Sequence, residues 1–211
     1  MKKQIQQHAV YGLLVILLSV IGMAKGAAES LQQPQQVIQN ISDTLQKKLQ
    51  DKSFTQNFAS VVQFVKTVID PHTDFDKISP LVLGKHWKTA TPTEQEGFKQ
   101  EFQTLLIRAY SRAFVEYNNW TISYLPVETA SDAKKVIVKT KVMQPSIQAI
   151  EVNYRMFLSN GEWKVYDILI EGVSLVTTYR STFSDEIQSK GSLSAVIDTL
   201  AKRNADALSA K

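Results

Sequence analysis

The chain contains no cysteine, so neither a disulfide nor a lipidated N-terminal cysteine is available to it, and stability has to come from a packed interior. Histidine is nearly as scarce. Beyond the first few residues only His72 and His86 occur, beside Pro71 and Trp87, and neither has a partner at metal-ligand spacing, so no metal site is expected. The eight glycines are scattered and build no phosphate-cradling loop. A strong charge of one sign is also missing. The formal charge of +4 counts Lys2, Lys3 and Lys25; without those three, 21 basic side chains face 20 acidic ones and leave +1, which gives no reason to expect a nucleic-acid partner. The one uninterrupted apolar run, residues 9–23, is shorter than the ~20 residues needed to cross a bilayer.

That run lies between Lys2-Lys3 and the small-residue stretch Ala24-Lys25-Gly26-Ala27-Ala28, the layout of a secretory signal peptide. Residues 1–28 are read as the leader, with cleavage after Gly26 or Ala28; the rival is an uncleaved anchor, against which the length of the run argues. Residues 29–211 are then long enough for one domain with a sizeable core, or for one domain with an internal cavity.

Apolar residues four apart (Val37, Ile41, Leu45, Leu49) predict a helix. Phe54, Phe58, Val61, Val62, Val65, Val68 and Ile69 predict a second, ended by Pro71. A shorter segment passes through Leu81, Val82 and Leu83. Thr91-Pro92-Thr93-Glu94 is a capping box with proline at the first helical position, so a long helix starts there; its apolar face runs from Phe98 to Tyr117. From Trp120 the period becomes two. Trp120, Ile122 and Tyr124, then Val136, Val138 and Val142, then Ile150, Val152, Tyr154, Met156 and Leu158 alternate with polar residues, and Asn160-Gly161 marks a hairpin into residues 163–171. This fourth strand carries apolar residues on both faces. Gly172 permits a tight exit, Ser174 caps a helix through Leu175, Tyr179, Phe183 and Ile187, and Gly191 ends it before a last helix. The expected fold is α+β: a four-stranded curved antiparallel sheet with helices packed on one face, a cone like that of nuclear-transport-factor-like proteins.

Two residues invite a catalytic reading. Ser174 follows Gly172 by two, but the nucleophile-elbow pattern fails at Val176 and no histidine follows, so a helix cap explains it better. Asp167, between Tyr166 and Ile168 on a buried strand, has the setting of a general base in an isomerase- or hydrolase-like enzyme. The competing reading has it hydrogen-bonded to the neighbouring helix, with Tyr179 or Arg180 as partner, locking the strand-to-helix corner; this is preferred because a lone carboxylate is weak evidence of catalysis. The aromatic and branched side chains exceed what one thin sheet face needs. Such a surplus either fills an interior or encloses a space, and the residues leave both open.

Residues 163–183, with Tyr166-Asp167, Glu171-Gly172-Val173-Ser174-Leu175-Val176 and Tyr179-Arg180, combine with Leu83-Gly84, Trp87-Lys88 and Thr91-Pro92 into a pattern that resembles the MlaC family of periplasmic phospholipid-binding proteins. Three positions depart from it. Glu96 stands where relatives commonly have arginine, and Lys85 and Lys88 replace frequent arginines, keeping the charge without the forked hydrogen bonding. The resemblance implies a non-enzymatic carrier that needs no cofactor. It moves single phospholipids between outer and inner membrane and maintains outer-membrane lipid asymmetry. It implies two docking partners, the MCE-domain subunit of an inner-membrane ABC transporter and an outer-membrane lipoprotein–porin complex. It also implies a slot that buries both acyl chains and leaves the head group in water. The walls expected are Leu83, Trp87, Phe98, Phe102, Leu105, Leu106 and Tyr110 from the helices; Val138, Val142, Ile150, Val152, Tyr154, Met156, Ile168 and Ile170 from the sheet; and Val173, Val176 and Tyr179 from the last corner. Arg108, Arg112 and Arg180 are candidates for its mouth or for a partner-facing surface. A third possibility is a periplasmic adaptor with a solid core.

Overall fold

The computed structural model describes residues 32–117, 119–127, 132–145 and 147–209, the side chain of Ile147 excepted. The leader expected at residues 1–28 lies outside them. Helix α1 (Gln33–Leu49) opens with Pro34 in its first turn and a capping box in which Gln32 and Gln35 exchange side-chain bonds. The second expected helix is divided. Asp51 caps a single turn, α2 (Lys52–Thr55), and Asn57 caps α3 (Phe58–Ile69) by accepting from the Ser60 amide. Each of these short polar side chains offers the amides of the next turn an acceptor, which restarts the helix instead of continuing it. After a 3₁₀ turn at Asp70–His72 come α4 (Phe75–Leu83), α5 (Lys85–Thr89) and the long α6 (Pro92–Glu116), where the Thr91/Glu94 capping box is formed as expected.

The strands are β1 (Thr121–Tyr124), β2 (Lys135–Gln144), β3 (Ile147–Ser159), β4 (Glu162–Ile170) and β5 (Val173–Ser174), antiparallel throughout in the order β1-β2-β3-β4-β5. The sheet therefore has five strands, not four. Glu171 and Gly172 both take positive φ, 49° and 78°, and fold the chain back so that Val173 pairs with Ile170 and Ser174 with Leu169. A glycine exit was visible in the sequence; a two-residue strand after it carries no periodicity to read.

Alternation places Val136, Val138 and Thr140 on the buried side of β2 and Lys135, Ile137 and Lys139 outside. In β4 a bulge between Arg155 and Met156 of the facing strand leaves Tyr166 as the extra residue, so inward positions pass from Ile170 and Ile168 to Val165. This change of parity is why the strand reads as apolar on both faces. Helices α7 (Leu175–Lys190) and α8 (Leu193–Ser209) complete the chain; Ser174 caps α7 and Gly191, at φ 84°, ends it. One interior cluster joins α4, α6, α7 and α8 around Phe98, Phe102, Phe183 and Val196, and a second joins α1, α3 and α6 around Leu45, Leu49, Val61 and Val65. Among the described residues no helix is long and apolar enough to cross a membrane.

Candidate functional site

Between the inward face of the sheet and the helices lies a cavity of about 320 Å³. The sheet contributes Ile122, Val142, Val152, Tyr154, Ile168 and Ile170, whose registers (Val142 to Ile150, Val152 to Ile170, Tyr154 to Ile168) place the last four on one patch of β3 and β4. Helix α6 supplies Phe102, Leu106, Ile107, Tyr110, Ala113 and Phe114, which trace one broad face, and Tyr117 follows at its C-cap. Helix α1 closes a third side with Ile38, Ile41, Ser42 and Leu45, and Phe75, Ile78, Leu175, Val176 and Tyr179 line the end towards α4 and α7. Tyr117 belongs to the lining yet is 44% exposed, so the hollow reaches the surface at the C-terminal end of α6, beside Gln144.

Ten of the expected wall residues meet there: Phe102, Leu106, Tyr110, Val142, Val152, Tyr154, Ile168, Ile170, Val176 and Tyr179. Eight lie elsewhere. Leu83, Trp87, Phe98 and Leu105 pack in the cluster between α4, α6, α7 and α8. Val138 and Met156 are fully buried against Ile38, Val136 and Val165. Ile150 sits opposite Val142 outside the lining, and Val173 is 60% exposed on β5. The α1 wall was not foreseen, although its helical stripe was; Phe114, Trp120, Val165 and Leu175 were likewise missed.

The three arginines expected at a mouth are engaged with the scaffold. Arg108 Nε donates to Asn204 on α8 at 3.4 Å, the Arg112 guanidinium lies 5.0 Å from the centre of the Phe58 ring, and Arg180 Nε donates to the Leu81 carbonyl at 2.7 Å.

Few polar atoms face the hollow, and the tyrosine phenols among them are neutral. Burial raises the phenols of Tyr110 and Tyr154 to about 12, with the Tyr179 phenol adding to the effect at Tyr110. Burial also raises Tyr179, partly offset by Arg108. Ser42 Oγ accepts from the Trp120 indole at 2.9 Å. Asp167 is 5% exposed and its oxygens are occupied: Oδ2 accepts from Arg155 Nη1 at 2.9 Å and from Ser174 Oγ at 2.7 Å, and Oδ1 from the Val176 amide at 3.1 Å. The carboxylate thus locks the β4–α7 corner, with Arg155, Ser174 and Val176 in place of the expected Tyr179 or Arg180. A base needs a free lone pair aimed at substrate, so the isomerase-like reading finds no support in this geometry. Among the described residues no group of histidine and carboxylate side chains is placed to hold a metal.

The family model of the MlaC protein matches residues 39–202. The chain belongs to the MlaC family. It is 29% identical over 181 residues to the toluene tolerance protein ttg2D of Pseudomonas putida, covering 84% of this chain and 82% of that protein. To the intermembrane phospholipid transport system binding protein MlaC of Haemophilus influenzae it is 25% identical over 115 residues, 53% of this chain and 54% of that protein. A solved structure of a phospholipid-binding protein from Ralstonia solanacearum, in complex with a phospholipid, superposes with a TM-score of 0.75 at 30% identity, covering 83% of this chain and 99% of that one.

Proposed function

We propose that this MlaC-family chain is a phospholipid carrier that takes acyl chains into the cavity between sheet and helices. The observation that carries the reading is the apolar hollow itself, in a fold shared at 30% identity with a protein whose structure holds a phospholipid. The physics requires such a chamber. Two acyl chains with about 30 methylenes at ~0.8 kcal/mol each have a gross hydrophobic term of about 24 kcal/mol, so a carrier has to replace nearly all of the bilayer's apolar contact. The wall phenols, held protonated by burial, present no charge to hydrocarbon, and the Asp167 carboxylate in the lining is matched by Arg155.

The acyl chains enter the hollow of about 320 Å³ from its open end. The head group then stays near Tyr117 and Gln144, where the hollow meets the surface, and head-group identity contributes little to affinity. With residues 1–28 removed as an export signal, the carrier works in the periplasm and exchanges cargo with an MCE-domain subunit of an inner-membrane ABC transporter and an outer-membrane lipoprotein–porin complex. Its task in this reading is to return phospholipid from the outer to the inner membrane, so maintaining outer-membrane asymmetry, without catalysis.

Mass spectrometry of the purified, exported protein tests this directly, with about one phospholipid per chain expected. Val152→Glu places a carboxylate on the cavity wall and is expected to abolish that lipid while export and fold persist. Unchanged lipid content in the variant would remove the cavity from the binding site.

A further inference from the structure

The outward side of β2 repeats one chemistry along its length: Lys135, Ile137, Lys139, Lys141 and Met143 are all exposed. None of the three lysines takes part in an ion pair among the described residues. Their neighbours do little to neutralise them. Arg155, opposite Ile137, is matched by Asp167, and Lys164 by Glu162 at 3.7 Å. Glu151 faces Lys141 in register and offsets one of these charges, whereas Lys77 adds a further cation 4.1 Å above the ring of Phe157, the residue paired with Lys135. In a chain with a net charge of only +1 after the leader, this is a local excess. The two apolar members of the row, Ile137 and Met143, are 43% and 40% exposed.

We infer that this face docks on the surface of an anionic phospholipid bilayer. Ammonium groups on flexible stems reach lipid phosphates, while the side chains between them enter the zone just beneath the head groups. An acidic protein surface satisfies the lysines and covers the apolar pair equally well; what favours the bilayer is where the row lies relative to the cavity. The row ends in the right place. Met143 adjoins Gln144, at the opening of the cavity on the other side of the sheet, so a molecule lying on β2 holds that opening at the lipid surface. The inference extends the carrier reading and uses none of the cavity residues.

The test is co-sedimentation of the exported protein with vesicles of phosphatidylethanolamine and phosphatidylglycerol, compared with phosphatidylcholine alone. Binding is expected only to the anionic vesicles, and it is expected to vanish in about 1 M salt, where charges are screened within ~3 Å. The triple variant K135E/K139E/K141E is expected to bind at least about tenfold more weakly. The milder pair Lys139→Gln with Lys141→Gln repeats the test should the reversal fail to fold. Absence of binding to anionic vesicles, equal binding to neutral ones, or unchanged binding by the variants overturns the inference and leaves an acidic protein as the occupant. Mass-spectrometric lipid content, measured on the same samples, reports on the cavity separately: it is expected to be unchanged by the lysine substitutions.

Discussion

Helix α6 divides into two regions with opposite interiors. In its first half, Phe98 and Phe102 stack at 5.5 Å between ring centres, and both meet Phe183 edge-on at 5.0 and 5.6 Å. Two turns on, Tyr110, Ala113 and Tyr117 face a hollow. The same apolar stripe thus builds a solid core against other helices and a chamber wall against the sheet. The partner makes the difference. Helix α8 packs along α6 and α7 reaches it through the rings of Phe183 and Tyr179, whereas the inward face of the sheet stands off from α6 across the hollow.

The comparison is broken most forcefully at Phe98. It is fully buried in the solid half, so Phe98→Ala is expected to cost about 3–5 kcal/mol in denaturant unfolding while the folded fraction keeps its lipid stoichiometry. Equal loss of lipid per folded chain would mean that the two halves are one unit. A smaller effect is expected from Asp167→Asn, which weakens the Arg155 pair at the corner joining sheet and chamber. With the Arg155 side chain 38% exposed, solvent screening holds the cost to about 1–3 kcal/mol, read in the same unfolding experiment. Ala113→Leu sharpens the contrast with the least change in stability. Added methylenes find room in the cavity, so stability is expected to rise by about 0.5–1 kcal/mol while lipid content falls. Destabilisation by more than about 1 kcal/mol, the signature of overpacking, would show that the wall at Ala113 is already filled.

Much of this architecture is legible from the residues. The Thr91-Pro92-Thr93-Glu94 box, Asn160-Gly161 and the Ser174 cap are local chemistry, and each forms where the sequence places it. Their information is complete within a few residues. The site is less so. Periodicity says that Leu45 and Leu106 are covered but not by what: Leu105 and Leu106 both pack against the helical cluster, and the second also lines the cavity. The bulge at Tyr166 and the short β5 depend on pairings made across the chain, and no run of residues announces them. Thr140, fully buried, shows the converse: a polar residue skipped by a search for alternating valines still points inward, its hydroxyl satisfied by the Val152 carbonyl.

The wall formed by α1 is clipped to the sheet by glutamines and an indole. Gln35 donates to the Leu125 carbonyl at 2.9 Å, Gln32 to that of Val127 at 3.0 Å and Gln46 to that of Trp120, while the Trp120 ring donates to Ser42. None of these groups ionises in the physiological range, so acid, alkali or a flood of ions leaves the fastening as it is. Swings of acidity or salinity thereby lose any direct say over that side of the chamber.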